Sequence, residues 1–520
     1  MPNQAEKWDY FEVALKAQAC GNPFLDVILE AEFTHNHRTV RVAGFYDGDD
    51  VYRVRFMADM EGSWRFVTHS NVSALDNQCG SFECVPPSEN NHGPVRVIDQ
   101  VHFAYADGTP YHPVGTTCYV WNLQGDALEE QTLATLREAP FNKMRMCVFP
   151  KRYSFNHNEP PCYPFEGEPK HGWDPANLNN LRAPAPEGFW DFARFNPEYF
   201  RRLEKRILDL RALGIEADLI LFHPYDMGAW GFDKMPAEVN DRYLKYLCAR
   251  IAALRNVWWS FANEYDLMFH LTMADWDHFF QLVRDEDPYD HLRSIHNCRG
   301  FYDHGKPWVT HCSIQHHDLS QIPDWLQRYG KPVVVDECGY EGDIHMIWGD
   351  LSPEEMVHRF WIGFVQGGYV GHGETYVNDR EELWWSKGGA LVGQSPDRIA
   401  FLRGIFEDAP VLYPGKRADG ERTDLIAPII PEGPWNCRAI GYHEDDYFIV
   451  YFGNHQPRCR YFNLPQEFSY RVDIIDTWNM TIDCFSDAAS GAIKVPMPAR
   501  RYMAIRIQKN QPDIRPGAVF

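Results

Sequence analysis

The sequence predicts an α/β protein, a (β/α)8 TIM barrel flanked by two β-sandwich domains. Three observations predict it. Short β-branched or aromatic runs alternate with long amphipathic segments through the middle of the chain. Both ends show apolar residues at every second position, the period of strands with one buried face. The glycine-rich turns that a doubly wound dinucleotide-binding sheet would favour do not occur. The 520 residues then divide as 1–96, 97–410 and 411–520.

In the first segment Leu25, Val27, Leu29, Ala31 and Phe33 alternate with mostly acidic neighbours, and Tyr52, Val54 and Phe56 alternate with Arg53 and Arg55. Turn signals at Gly21-Asn22-Pro23, Asp47-Gly48-Asp49 and Glu61-Gly62 separate the runs. A Pro- and Asn-rich stretch, Pro86 to Pro94, reads as the boundary. In the middle segment strands are expected near 114–120, 142–149, 217–222, 257–262, 292–297, 309–315, 332–336 and 368–373. Helices are expected over 197–213, 238–254, 274–285, 322–329, 353–365 and 396–406, and residues 160–187 read as a long insertion after the second strand. Eight alternations in one segment of this length fit a barrel with long loops. The last segment returns to alternation at Tyr447–Phe452 and at Tyr470, Val472 and Ile474.

Composition removes several function classes. Asp and Glu outnumber Lys and Arg by 73 to 50, a formal charge of −23, which repels nucleic acid and anionic membrane. No apolar run reaches the ~18 residues a membrane span needs. Thirteen cysteines without CxxC spacing, and an N-terminus with no basic or apolar leader, predict reduced thiols and a cytoplasmic location. No GxGxxG, Walker A, GxSxG or HExxH pattern occurs, and Asp47-Gly48-Asp49-Asp50 is too short for an EF-hand loop, so neither cofactor nor metal is expected. Aromatic residues reach 15%, divided between the sandwich cores and barrel-mouth positions such as Tyr119, Trp121, Tyr225, Trp384 and Trp385, where a sugar would stack.

In a barrel of this kind functional groups gather where strands open into loops at their C-terminal ends. The fourth strand ends in Phe261-Ala262-Asn263-Glu264 and the seventh in Val335-Asp336-Glu337. Val333, Val335 and Glu337 share a face by the period of two, which aims Glu337 into the barrel mouth. Two carboxyl groups in one cleft are what glycoside hydrolysis requires, one kept protonated and one ionised. Asn263 offers an amide to a sugar 2-hydroxyl. Other strand ends add Trp121, His223, Tyr225, His296-Asn297 and His316. Glu374 is a rival for Glu337 if the strand assignment has slipped. Trp384 and Trp385 are expected as a sugar-stacking platform, because two adjacent tryptophans are not easily buried together.

These residues resemble the clan-A retaining glycoside hydrolases. The resemblance implies that Glu264 is the acid/base, that Glu337 is the nucleophile, and that Arg145 in Met144-Arg145-Met146 stands beside it. More narrowly, the chain resembles apiosidase-like barrel proteins with an N-terminal domain of unknown function, through Gly44-Phe45-Tyr46-Asp47-Gly48, the segment His102 to Pro110, and Gly115-Thr116-Thr117-Cys118-Tyr119. At the sixth strand Ser313-Ile314-Gln315-His316-His317 stands where many clan-A enzymes place a tyrosine near the nucleophile, a departure that leaves the nucleophile's hydrogen-bond partner open. The expected reaction is retaining hydrolysis by an exo-acting enzyme on a small oligosaccharide or glycoside, with the carboxyl groups about 5 to 5.5 Å apart. The resemblance points toward furanosides. The competing readings are a non-catalytic carbohydrate-binding protein on a degenerate barrel and a transglycosylase. The two sandwiches offer surface for a homo-oligomer.

Overall fold

The computed structural model describes residues 4–18, 21–169, 190–225, 229–415, 429 and 437–510. The greater part of the expected 160–187 insertion, from residue 170 on, lies outside them.

Eight parallel strands close into a barrel: β1 (Val114–Thr117), β2 (Lys143–Cys147), β3 (Glu216–Phe222), β4 (Val257–Ala262), β5 (Arg293–Ser294), β6 (Cys312–Gln315), β7 (Val333–Glu337) and β8 (Tyr369–His372). Their order is β5-β4-β3-β2-β1-β8-β7-β6, and a parallel bridge between His296 and Ser313 shuts the ring between β5 and β6. Around it run α1 (Asp126–Glu138), α2 (Pro197–Ala212), α3 (Ala237–Ile251), α4 (Met273–Glu286), α5 (Ile322–Tyr329), α6 (Pro353–Val365) and α7 (Ser395–Glu407). Local sequence sets their ends. Asn196 and Ser352 cap α2 and α6 ahead of a proline in the first turn, and Thr272 with Asp275 forms a reciprocal capping box on α4. No helix follows β5 among the described residues; residues 295–311 cross to β6 as a loop.

The barrel interior is filled with charge in layers. Lys143 and Arg145, two apart on β2, both point inward. The lower ammonium is 2.5 Å from Asp218 and 2.7 Å from Asp336, which also accepts from the Ser313 hydroxyl at 2.6 Å. Below it Trp258 donates to Glu216. Burial raises Asp218, whereas at Asp336 the cations Lys143 and Arg145 overcome burial and lower it. Strict alternation would turn Asp336 away from the interior if Glu337 faces it. The register between β6 and β7 resolves this: Ser313 pairs with Val334 but Gln315 with Glu337, so β7 carries one extra residue. Two consecutive carboxylates thereby reach the interior.

The chain ahead of the barrel folds into a seven-stranded sheet in which Arg38–Tyr46 pairs with Leu29–His35 along one half and with Val51–Met57 along the other. Phe11 stacks on Phe82 at 4.2 Å and Phe33 on Phe56 at 4.3 Å in its core. The Asp47 turn is an anchor to the barrel. Arg250 of α3, fully buried, donates to Asp47 at 2.9 Å and to Glu204 at 2.6 Å while lying over the Phe45 ring. A three-stranded sheet, Val95–Ile98, His102–Tyr105 and Pro110–Tyr111, closes the bottom of the barrel, with Phe103 against Trp258. After α7 comes an antiparallel six-stranded sheet and a separate pair, Cys459–Leu464 with Gly491–Pro496. Tyr451 docks this C-terminal module by ring contact with Trp361 and a 2.9 Å hydrogen bond to His358 of α6. The described cysteines are free thiols, and no described helix is long and apolar enough to cross a membrane.

Candidate active site

At the C-terminal end of the barrel the top layer of charge becomes a site. Arg145 donates from Nη1 to Glu337 Oε1 at 2.8 Å and from Nη2 to Asn263 Oδ1 at 2.8 Å, so one guanidinium ties the end of β7 to the end of β4. The Tyr119 hydroxyl, from the loop after β1, donates to the same Glu337 oxygen and lies 3.2 Å from Asn263 Oδ1. Tyr119 therefore supplies the hydroxyl that the sixth strand lacks. His296 Nε2 stands 3.9 Å from Glu337 Oε1, and burial, with Arg145 next, holds that imidazole neutral, far below its ordinary pKa. Arg145 and Tyr119 converge on Oε1, the pattern that holds a carboxylate in one orientation.

Glu264 follows β4 in the left-handed backbone region, φ 52° and ψ 55°. A non-glycine residue there stores strain, a feature enriched at functional sites. The turn is pinned on both sides: Tyr265 N–H donates to His296 O, and Asp266 accepts the N–H groups of Cys298, Arg299 and Gly300 at 2.6 to 2.9 Å. Asp266 thus locks the loops after β4 and β5 together. Burial, and after it the charge of Glu337, pushes the Glu264 carboxyl up to about 7, against the opposing pull of Lys151. Glu264 Oε2 and Asn263 Nδ2 have no hydrogen-bond partner among the described residues.

Lys151, four residues beyond β2, forms the third side. Its ammonium lies 3.3 Å from the centre of the Tyr119 ring, 4.1 Å from Tyr225, 4.3 Å from Tyr153 and 5.6 Å from Trp385. Its backbone is held by Asn156, whose amide donates to Lys151 O at 2.7 Å, and by Arg152 N–H on Tyr225 O at 2.9 Å. Burial pulls Lys151 down to about 8, so it is still mainly cationic at neutral pH.

The structure brings Glu264, Glu337, Asn263, Arg145, Tyr225, His296 and Trp385 to this mouth and places Trp121, His223, His316, Glu374 and Trp384 elsewhere. Trp384 and Trp385 are both buried, at 1% and 8% exposure, because the one-turn helix Trp384–Lys387 turns them apart. Trp384 reaches into the barrel wall and donates to Thr116 Oγ1 at 2.9 Å, whereas Trp385 packs edge-on to Tyr119 and beside Tyr340. The expected two-ring platform is therefore one ring. Trp121 is fully buried in the barrel's outer core. His223 accepts from Tyr225 N–H at Nδ1, which assigns the proton to Nε2 facing Phe149 O; it braces the loop that carries Tyr225. His316 turns outward onto Trp325 of α5 and bonds locally to Asp318. Glu374 is no rival nucleophile. Its carboxylate accepts the N–H groups of Val392 and Gly393, as Glu341 accepts those of Gln394 and Ser395, ahead of and into α7. Glu341, His372 and Glu374 lie close enough for a cation, yet these backbone donors occupy both carboxylates, so the donor set does not fit a metal. A reading of strand ends misses Lys151, and it does not show that Tyr119 bonds to Glu337. The cation in Val148-Phe149-Pro150-Lys151, just past an apolar strand, was the available signal.

Comparison with known proteins places this geometry in a family. A family model described as "Apiosidase-like, catalytic domain" matches residues 99–388, more than half of the chain. Two domains of unknown function, DUF5060 and DUF5605, match residues 4–71 and 435–508. Comparison with curated proteins finds no match. Among solved structures, a chain from Bacteroides vulgatus ATCC 8482, provisionally assigned as a glycoside hydrolase, is 39% identical, covers 98% of this chain and all of its own, and superposes with a TM-score of 0.87. A family 5 glycoside hydrolase from the same organism shares the fold at 16% identity and a TM-score of 0.56, over 81% of this chain and 94% of its own. With more than half of the chain matched by the family model and a 39% identical relative covering 98% of it, the chain belongs to the apiosidase-like catalytic domain family of glycoside hydrolases.

Proposed function

We propose that the protein is a retaining, exo-acting glycoside hydrolase for a small oligosaccharide or glycoside, with furanosides included in its range. The observation that carries the reading is the asymmetry of the two glutamates. Glu264 is buried and pushed up to about 7, the condition of a general acid at neutral pH. Glu337 accepts from Arg145 and Tyr119, donors that suit a carboxylate. In the first step a carboxylate oxygen of Glu337 attacks the anomeric carbon while Glu264 gives its proton to the departing oxygen. Glu264, now ionised, then takes a proton from the incoming water, which releases the sugar from Glu337. Asn263 Nδ2 is the donor available to the sugar 2-hydroxyl. Glu264 and Glu337 are only 7% and 3% exposed, which favours a pocket taking a chain end over an open groove.

The test is a panel of aryl and natural glycosides, furanosides included, followed by NMR of the first anomer released. Retention, together with a 2-fluoro-glycosyl adduct mapped to Glu337 by mass spectrometry, is expected. An inverted product, or an adduct on another residue, refutes the mechanism.

A further inference from the structure

Of the three cations inside the barrel, two are matched by carboxylates. Arg145 is paired with Glu337, and Lys143 with Asp218 and Asp336. Lys151 is not matched. It is 1% exposed, has no ion-pair or hydrogen-bond partner among the described residues, and meets only ring faces. Aromatic faces attract an ammonium but accept its three N–H groups poorly. A buried cation without oxygen acceptors is costly, and a ligand that brings the acceptor removes that cost. The position is specific: Tyr119 both contacts Lys151 and donates to Glu337, so whatever meets the ammonium is within one residue of the nucleophile. With Glu264 protonated and His296 neutral, the groups at the mouth itself, Lys151, Arg145 and Glu337, sum to one positive charge.

We propose that Lys151 is the specificity-determining residue of this site and anchors a carboxylate carried by the bound sugar, so that the substrate is an acidic, uronic acid-containing glycoside. This deepens the glycosidase reading and rests on it for the bond that is cleaved. The aromatic walls take the sugar's C–H faces while the ammonium takes the carboxylate. A neutral hydroxymethyl group at the same place would leave the charge unmatched.

The experiment uses the full chain with pairs of sugars and 4-nitrophenyl glycosides that differ only in carboxylate against hydroxymethyl: glucuronide and glucoside, galacturonide and galactoside, in both anomers. Calorimetry reads binding and released nitrophenol reads cleavage. At least one acidic member is expected to bind about tenfold or more tightly than its neutral twin, a preference kept by Lys151→Arg and lost in Lys151→Met and Lys151→Gln. In the parent the preference should fade as pH rises through about 8, where Lys151 gives up its proton. This arm needs no variant to fold. Neutral twins that bind equally well, a preference that survives Lys151→Gln, or no binding of any acidic sugar overturns the proposal. Cleavage of neutral glycosides alone refutes it and leaves the glycosidase reading standing; Lys151-dependent binding of acids without cleavage does the reverse.

Discussion

Replacing Glu264 with Gln keeps the shape of the side chain and removes its proton. In the folded protein the Glu264 carboxyl is pushed up to about 7 from an ordinary value of 4.5, first by burial and then by Glu337. At pH 6 about nine-tenths of such groups carry the proton, against about 3% at the ordinary value, a gain of about 30-fold in the form able to act as acid. A general acid must be protonated, so kcat/KM should fall as pH rises, by about half near pH 7 and about tenfold near pH 8. Glu264→Gln should lose about 10² to 10⁴ in rate on glycosides with poor leaving groups, or ~2.7 to 5.4 kcal/mol of barrel-mouth catalysis. Dinitrophenyl glycosides, which leave without a proton, should be spared in the first step. Carbon-13 NMR of glutamate-labelled protein checks the proton itself without a substrate. Glu374 is also pushed to about 7 by burial, so the Glu264 signal is identified by its disappearance in Glu264→Gln. An alkaline limb that persists unchanged in Glu264→Gln, or a Glu264 carboxyl titrating near its ordinary value, refutes the assignment.

Other substitutions test the frame around the pair. Arg145→Met strands a buried Glu337 and should cost ~3–5 kcal/mol, seen as a lower calorimetric midpoint, with a fall of about 10² or more in kcat/KM. Lys143→Met leaves Asp218 and Asp336 facing each other in the barrel interior and should destabilise by a similar ~3–5 kcal/mol; a midpoint unchanged from the parent would contradict the layered charge arrangement. Gly371→Ala would place a methyl 2.4 Å from the Asp336 carbonyl, forcing β8 off β7, so a loss of ~1–3 kcal/mol is expected. The same change at Gly404, an exposed position in α7 with nothing within 4 Å, should stabilise by ~0.5–1 kcal/mol. The two midpoints should move in opposite directions.

Sequence by itself determined the β/α alternation, the two strand-rich flanks and the placement of Asn263-Glu264 and Glu337 at the ends of the fourth and seventh barrel strands. These follow from local periodicity, since strand and helix burial repeat every 2 and 3.6 residues whatever the partner. Only the tertiary structure decided what each side chain meets. The hydroxyl on Glu337 comes from Tyr119, 218 residues earlier, because barrel closure brings β1 near β7. Asp336 and Glu337 both face inward because β7 gained a residue against β6, an inter-strand fact with no counterpart in a period of two. Trp384 and Trp385 are buried on opposite sides of a single turn of helix, and His316 and Glu374 end strands yet serve neighbouring helices and loops. Lys151 shows the limit most plainly. Its chemistry arises from Tyr153 in its own loop and from Tyr119, Tyr225 and Trp385, which come from the segments after β1, β3 and β8, and no spacing along the chain encodes that enclosure.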